Sequence, residues 1–399
     1  MCVTNHLLQN FWLLEEFSLS TFDFTPPQTS IDTASLRRRI RQFLTSAMED
    51  ISPRERAYSW TGYNANFSEK MGKDGWIGMQ WPELYGGRNA SPLERYVVIE
   101  ELLAAGAPVG AHWIADRQSG THLLRYASDR IKSEYLPKIA AGELFFCIGM
   151  SEPNAGSDLA AIHTHARKVD EGWIINGSKL WTTHAVRSHM MIALVRTDRS
   201  EQRHNGLSQF VIDLSLPGIT INGITDQTGE VHFGEVFFEE VLVANDCLLG
   251  TEGQGWQQVN AELALERSGP ERYLSSYRLI EEFIDTQTDC SDDLNTDAIG
   301  EWIAELWTLR QMSLSMAAQI AEGKEPALEA AIVKDLGATF EQSLPHSVAA
   351  LMSDDGQHTP PSALSEVLDY LLLASPSFSL RGGTREILRG IIARGLGLR

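Results

Sequence analysis

Residues 146–183 read FCIGMSEPNAGSDLAAIHTHARKVDEGWIINGSKLWTT, and the fold turns on how this stretch is parsed. The apolar run Leu144, Phe145, Phe146, Cys147, Ile148 is a buried strand that emerges into a turn at Ser151-Glu152-Pro153. Pro153 fixes its own φ and pushes Glu152 toward an extended conformation. Asn154, Gly156, Ser157 and Asp158 then offer backbone N–H groups and short side chains, in a loop able to approach the polar edge of a planar ligand. Downstream, residues 173–177 read as a strand into a turn, and residues 179–183 as the return strand of a hairpin. The two-residue period of a strand places Trp181 and Thr183 on one face. An aromatic ring beside a hydroxyl suits a stacked heterocycle that takes one hydrogen bond.

Outward from this stretch the chain changes character twice. Residues 1–30 read as a loose arm, in which Phe11-Trp12-Leu13-Leu14 lacks a preceding basic region and is followed by Glu15-Glu16, unlike a secretory signal. Residues 31–143 read as helical. Leu36, Ile40 and Phe43 fall at helical spacing among Arg37, Arg38, Arg39 and Arg41. Ser91-Pro92-Leu93-Glu94 has the form of a capping box with proline at the first turn. Within residues 144–250, apolar or alternating runs at 190–195, 207–214, 219–224 and 231–243 are separated by turn-formers such as Asn205-Gly206 and Pro217-Gly218, a β domain. Residues 251–399 return to helix, interrupted at Gly323 and at residues 353–361.

Composition bounds the function. With 399 residues, 43% hydrophobic and 22% charged, the chain has the make-up of a soluble globular protein of two or three domains, or one large multilayer unit. A net charge of −20 argues against nucleic acid or an anionic membrane as the main partner. The cysteines, Cys2, Cys147, Cys247 and Cys290, are scattered without a CxxC pair, which fits a reducing, cytoplasmic setting and gives no zinc site. His163/His165 and His184/His189 lack metal-site spacings. No run reaches membrane-spanning length.

SEPNAGSD followed by GWIINGSKLWTT resembles the flavin-binding signature of the acyl-CoA dehydrogenases. Gly75-Trp76-Ile77-Gly78, Trp81-Pro82-Glu83 and Tyr85-Gly86-Gly87 match that family's N-terminal helical domain, and the resemblance covers residues 35 to 399. It implies an α+β, mostly α, fold: an N-terminal helical domain, a middle β-barrel-like domain and a C-terminal four-helix bundle. It also implies FAD as cofactor, an acyl-CoA as substrate, electron-transferring flavoprotein as acceptor, and oxidation to a 2-enoyl-CoA. On this reading Ser151 and Thr183 hydrogen-bond the reactive edge of the ring and Trp181 packs against it. Ile148 and Met150 lie beside that edge, and Ser157 with Asp158 fixes the loop. Ser157, Arg267 and Gly383 contact substrate.

Two departures from the family pattern sharpen the expectation. In its commonest branch the catalytic glutamate immediately precedes a Gly-Thr near the C-terminus, where this chain has Arg381-Gly382-Gly383-Thr384. Gly382 stands in the glutamate's place, keeping only a backbone N–H with which to polarise the thioester carbonyl at a helix start. In the isovaleryl and long-chain branch the glutamate precedes an arginine in the first helix after the β domain. Glu266-Arg267 matches that position, making Glu266 the expected base, with Glu271 and Glu386 as solvated fallback carboxylates. The second departure concerns the flavin phosphates. Homotetrameric relatives reach a neighbour's FAD with an Arg-x-x-Phe-Gly segment and a later Gln…Gly-Gly segment. This chain has Leu279-Ile280-Glu281-Glu282-Phe283 and Ser353-Asp354-Asp355-Gly356 there, which offer acids in place of arginine and glycine. That favours a heterotetramer with a homologous subunit over a homo-oligomer holding FAD through Arg278 or Arg310. The remaining alternatives are an oxidase, desulfinase or monooxygenase of the same fold, and a non-catalytic subunit, against which the retained Ser151, Trp181 and Thr183 count. The run around Arg203-His204-Asn205-Gly206 is similar to bacterial members that act on bulky acids such as steroid side chains.

Overall fold

Helices dominate both ends of the molecule because their sequences carry apolar faces at helical spacing and strong caps. The computed structural model describes residues 22–25, 33–198, 203–266, 269–287, 295–354 and 362–398; side chains at 261–266, 287, 353, 354 and 362 lie outside that description. The first helices are α1 (Thr33–Ala47), α2 (Pro53–Tyr58), α3 (Ala65–Lys73) and α4 (Pro92–Ala104). Ser91 caps α4 in a full capping box with Glu94 behind Pro92, as the sequence indicates. The basic cluster of α1 serves packing: Arg37 pairs with Glu100 and Glu101 of α4, and Arg41 reaches Glu101 at 2.6 Å.

Within the stretch read as helical, residues 110–126 are three pieces in one. After α5 (Gly110–Ile114), residues Ala115–Ser119 widen into a π turn before α6 (Gly120–Tyr126) resumes. Such turns shift the side chains that follow around the axis and recur at functional sites. Here the turn carries Arg117 inward. Helix α7 (Asp129–Ala140) closes the unit and leads into β1 (Phe146–Gly149).

The remaining strands are β2 (His165–Val169), β3 (Gly172–Thr183), β4 (Met190–Arg196), β5 (Leu207–Asp213), β6 (Ile219–Thr225) and β7 (Val231–Val243), in one sheet ordered β1-β4-β2-β3-β7-β6 with β5 paired to β4. Residues 172–183 are one continuous strand, so the hairpin expected between 173–177 and 179–183 is corrected: β3 turns back on β2, His165 facing Asn176. Gly177 is an irregularity within that strand, with φ 137°, where a Cβ would come within 2.6 Å of Thr164 Cα. The glycine serves a close approach, which a sequence reading takes for a turn.

The C-terminal helices are α8 (Gly255–Glu266), α9 (Tyr277–Gln287), α10 (Thr296–Ala321), α11 (Ala327–Asp354), α12 (Ser362–Ala374) and α13 (Arg385–Gly395). Leu279, Phe283, Trp302, Leu309, Phe340, Leu344, Leu364 and Leu371 bury the faces of α9 to α12 in a core continuous with the N-terminal helices. Of the N-terminal arm, Phe22–Thr25 is described, and it is anchored: Phe24 packs beside Met312 and Met316, and Gln319 Nε2 donates to Asp23 O at 2.6 Å.

Candidate active site

Three strands and one buried ion pair shape the loop after β1. Glu152 and Ala155 exchange backbone hydrogen bonds of 2.9 and 3.1 Å, closing the turn at Pro153. The Glu152 carboxylate then accepts from the His163 and Thr164 amides at 2.6 and 2.9 Å and from Lys179 Nζ at 2.8 Å. Burial pushes its pKa up, but Lys179 and these donors outweigh that and hold it below the usual carboxylate range. Glu152 therefore fixes the loop, and the part expected of Ser157 and Asp158 is corrected. Ser157 is exposed, and Asp158 reaches outward to Arg203 at 2.7 Å. Composition gave no sign of this, because a glutamate beside a turn proline looks solvated until its cross-strand lysine is located.

The loop is stitched to β3 one residue before Trp181: Leu180 N donates to Ser151 O at 2.8 Å. Between Lys179 and Thr182 the register of β3 on β7 slips by one residue, a β-bulge. Trp181 sits on that bulge at φ 58°, a region that bulky side chains seldom enter. Its ring is 56% exposed, and its contact is edge-on, with Phe233 at 5.8 Å and 88°. The plain two-residue period expected to join Trp181 to Thr183 is thus interrupted. The two stay neighbours because the bulge turns Trp181 outward while Thr183 remains paired with Phe233. Among the described residues no hydrogen bond engages the hydroxyl of half-buried Ser151 or half-buried Thr183. An uncovered aromatic face on a strained bulge, flanked by two hydroxyls able to bond outward, fits a planar heterocycle such as the flavin ring. Ile148 is half-buried, and the Met150 side chain packs into an apolar cluster with Val259 and Trp256.

The second half of the site lies where the π turn, the residues after α8 and the segment before α13 converge. Glu266 ends α8, its side chain outside the described residues, as is Arg267. Glu271, expected to be solvated, is instead buried at 2% exposure and paired with Arg117 of the π turn, whose guanidinium lies 5.5 Å from the Trp113 ring centre. The reason is the short 3-10 turn Pro270–Arg272, which follows α8 and points Glu271 and Arg272 into the core. Glu386 is exposed, as expected. His112-Trp113 are core residues: His112 Nδ1 meets Ser68 Oγ at 2.7 Å.

Gly382 and Gly383 both take left-handed backbone, at φ 64° and 103°, ahead of the Thr384 cap of α13. Gly382 lies two residues before the cap, so its N–H is not one of the helix-start amides and the helix field acts on it from a distance. A Cβ on Gly382 would meet Arg272 Nη2 at 3.3 Å and Lys334 Cε at 3.4 Å. Two buried cations therefore border the place of the common-branch glutamate. Arg381 beside it stacks 4.8 Å from the Trp60 ring centre and donates to Ser275 Oγ at 3.3 Å. Buried Glu341 accepts from Ser275 N at 2.6 Å; burial pushes its pKa up against the pull of Arg381.

The arginines that could have replaced the missing phosphate grip are engaged elsewhere. Arg278 pairs with Glu281 at 2.6 Å and with Glu282 on its own helix, and Arg310 binds Glu100 at 2.6 Å. Glu281 and Glu282 are thus partly neutralised, but Arg278 is used in doing so. The segments 288–294 and 355–361 lie outside the described residues. Among the described residues no cluster of histidine, cysteine or acid could hold a metal, and no helix is long and apolar enough to cross a membrane.

Comparison with known proteins gives the family. The acyl-CoA dehydrogenase N-terminal, middle and C-terminal domain profiles match residues 31–143, 147–241 and 253–397. Acyl-CoA dehydrogenase IpdE1 of Mycobacterium tuberculosis is 32% identical over 341 residues, covering 83% of this chain and 87% of that protein. The chain belongs to the acyl-CoA dehydrogenase family. The family fold and its cofactor, FAD, follow, as the resemblance implied. Among solved structures, the Tcur3481-Tcur3483 steroid ACAD G363A variant superposes with a TM-score of 0.81 at 24% identity, covering 92% of this chain and 98% of that one. The ChsE4-ChsE5 complex from Mycobacterium tuberculosis gives 0.79 at 24%, covering 94% and 99%.

Proposed function

We propose that this chain is a catalytic acyl-CoA dehydrogenase subunit that oxidises a bulky acyl thioester to its 2-enoyl thioester. The observation that carries the reading is the outward, left-handed Trp181 on a bulge tied to the Ser151 loop. Backbone strain of that kind is kept where a ligand needs the side chain. Bound FAD supplies the acceptor for the β-hydride. Glu266 is the base assigned to the α-proton, and the Gly382 N–H would receive the thioester oxygen as charge develops on it. Arg272 and Lys334, beside Gly382, add positive potential where that charge appears. Ser151 and Thr183 are assigned to the ring edge, with Ile148 and Met150 beside it, and Ser157, Arg267 and Gly383 to the substrate. Similarity to a relative titled a steroid ACAD supports a large, branched or polycyclic acyl group.

The site is completed by a homologous subunit in a two-plus-two heterotetramer. Arg278 and Arg310 are committed within the chain, and the FAD pyrophosphate, buried without donors, costs several kcal/mol. Relatives titled as two-protein complexes support that assembly. Electron-transferring flavoprotein reoxidises the enzyme, in the cytoplasm. The test is purification of the chain alone and with homologous subunits encoded beside it, with light scattering and flavin quantitation, then anaerobic mixing with isovaleryl-CoA and a steroid-side-chain CoA. Flavin-poor protein that fills on adding the second subunit, bleaches with acyl-CoA and yields an enoyl-CoA supports the reading. A single-chain oligomer with one FAD per subunit that oxidises acyl-CoA overturns the heteromer; loaded protein that consumes oxygen without an enoyl product overturns the dehydrogenase.

A further inference from the structure

Lys179 is fully buried, and its ammonium lies between the two parts of the proposed ring site. Its Nζ donates to Glu152 Oε1 at 2.8 Å and to Met150 O, the carbonyl preceding Ser151, at 3.1 Å. Its own backbone runs on through Leu180, which is bonded to Ser151 O, to Trp181. One side chain thus touches the loop that presents Ser151 and belongs to the strand that presents Trp181 and Thr183. Of the three ammonium hydrogens, two have acceptors among the described residues. Fold stability alone does not account for the pair: apolar side chains of similar volume commonly replace a buried ion pair at no loss.

We propose that Lys179 is a positioning residue that sets both the geometry and the reduction potential of the FAD ring edge, acting through the Met150 carbonyl and Ser151, with Glu152 as its counter-charge. The proposal rests on the reading that the ring lies against Trp181, Thr183 and Ser151. A reduced flavin ring carries more negative charge than an oxidised one. A buried cation close to it acts through low dielectric and favours reduction. Glu152 keeps the cation protonated and in place. Burial pulls Lys179 down to about 8 although Glu152 pushes it back up, and Glu152 is the charged group that acts on it. Once Lys179 loses its proton, the Glu152 carboxylate remains beside the ring edge uncompensated, so the ring becomes harder to reduce as the solution passes pH 8.

The experiment measures the reduction potential of the protein saturated with FAD, with the completing subunit present, by dye equilibration between pH 6.5 and 9.5. For the wild type, the potential-versus-pH line should steepen near pH 8. Lys179→Met should lose that break and, at pH 7, shift the reduction equilibrium against the reduced form at least tenfold, about 30 mV for a two-electron couple. The double variant Lys179→Met/Glu152→Gln removes both charges and keeps both volumes. It should fold even where the single variant does not, show no break, and lie between wild type and single variant in potential. Lys179→Met with the wild-type potential and line overturns the proposal, and a double variant that retains the break does so independently. Bound FAD whose spectrum ignores Trp181→Ala overturns the ring placement instead, so the two failures are distinguishable.

Discussion

Restoring the common-branch base by Gly382→Glu tests the whole reading of the thioester site. Two costs and one attraction decide the outcome. The backbone at residue 382 is left-handed, φ 64°, where an L side chain costs about 1–2 kcal/mol. Its Cβ would also press on Arg272 Nη2 and Lys334 Cε at 3.3 and 3.4 Å, so one of them must yield. Against this, a carboxylate about 4 Å from a cation gains roughly 4 kcal/mol at an effective dielectric of about 20. The variant therefore folds, but its new carboxylate is drawn to the cations and its pKa falls by about 1–3 units. A carboxylate so acidic is a poor base for an α-proton, and on the proposed assignment it adds a second negative charge to the site of the base. Turnover should fall at least tenfold. Gly382→Ala, which carries the backbone cost and the Cβ contact but no carboxylate, should lower the thermal midpoint by a few degrees and leave most activity. The assay is anaerobic flavin bleaching in a single turnover, with calorimetry on both variants. A Gly382→Glu enzyme faster than wild type, or one that rescues Glu266→Gln fully, would refute the placement of Glu266 as base and of Arg272 and Lys334 at the gap.

Glu266→Gln should keep flavin and substrate binding and lower turnover by about 10³-fold or more; retained turnover on single-turnover bleaching would move the base elsewhere, with Glu271→Gln the next variant. Trp181→Ala should weaken FAD retention, measured as flavin per protein after gel filtration, whereas Thr183→Val should change the potential more than the occupancy; unchanged spectra and potentials in both would leave the bulge as plain structure. Acid should unfold the protein early: burial pulls His112 and His122 down to about 4, so the unfolded chain binds more protons than the native one between roughly pH 6.5 and 4. Stability thus falls as pH falls through that window, by about 3 kcal/mol for each histidine. Urea midpoints that stay flat from pH 6.5 to 4.5 would contradict this.

The helix–sheet–helix order was legible because caps and periodicity are local. Ser91, Pro92 and Glu94 announce α4 within four residues. The candidate ring-site residues came from SEPNAGSD and GSKLWTT, which are compact signatures. What was hidden depends on partners far along the chain. Glu152 reads as a loop acid until Lys179, 27 residues later, closes on it. Glu271 reads as a helix-surface acid until the π turn swings Arg117 onto it, and a π turn leaves no periodic trace in so short a run. Gly177 reads as a turn because its real cause, the approach of Thr164, is a contact across strands.

The Arg117–Glu271 pair has a consequence for how this chain can be recombined. One partner comes from the helices before the sheet and the other from those after it, and both side chains are almost wholly buried. Losing Arg117 leaves buried Glu271 with Arg272 at 3.6 Å as its counter-charge, whereas losing Glu271 takes a counter-charge from two buried arginines, a penalty on the scale of about 3–5 kcal/mol for a broken buried pair. Drift at the two positions should therefore be correlated among relatives. A chimera that joins the first half of one relative to the second half of another will tolerate the junction only where residues 117 and 271 descend from the same parent, or from parents that solved this contact in the same way.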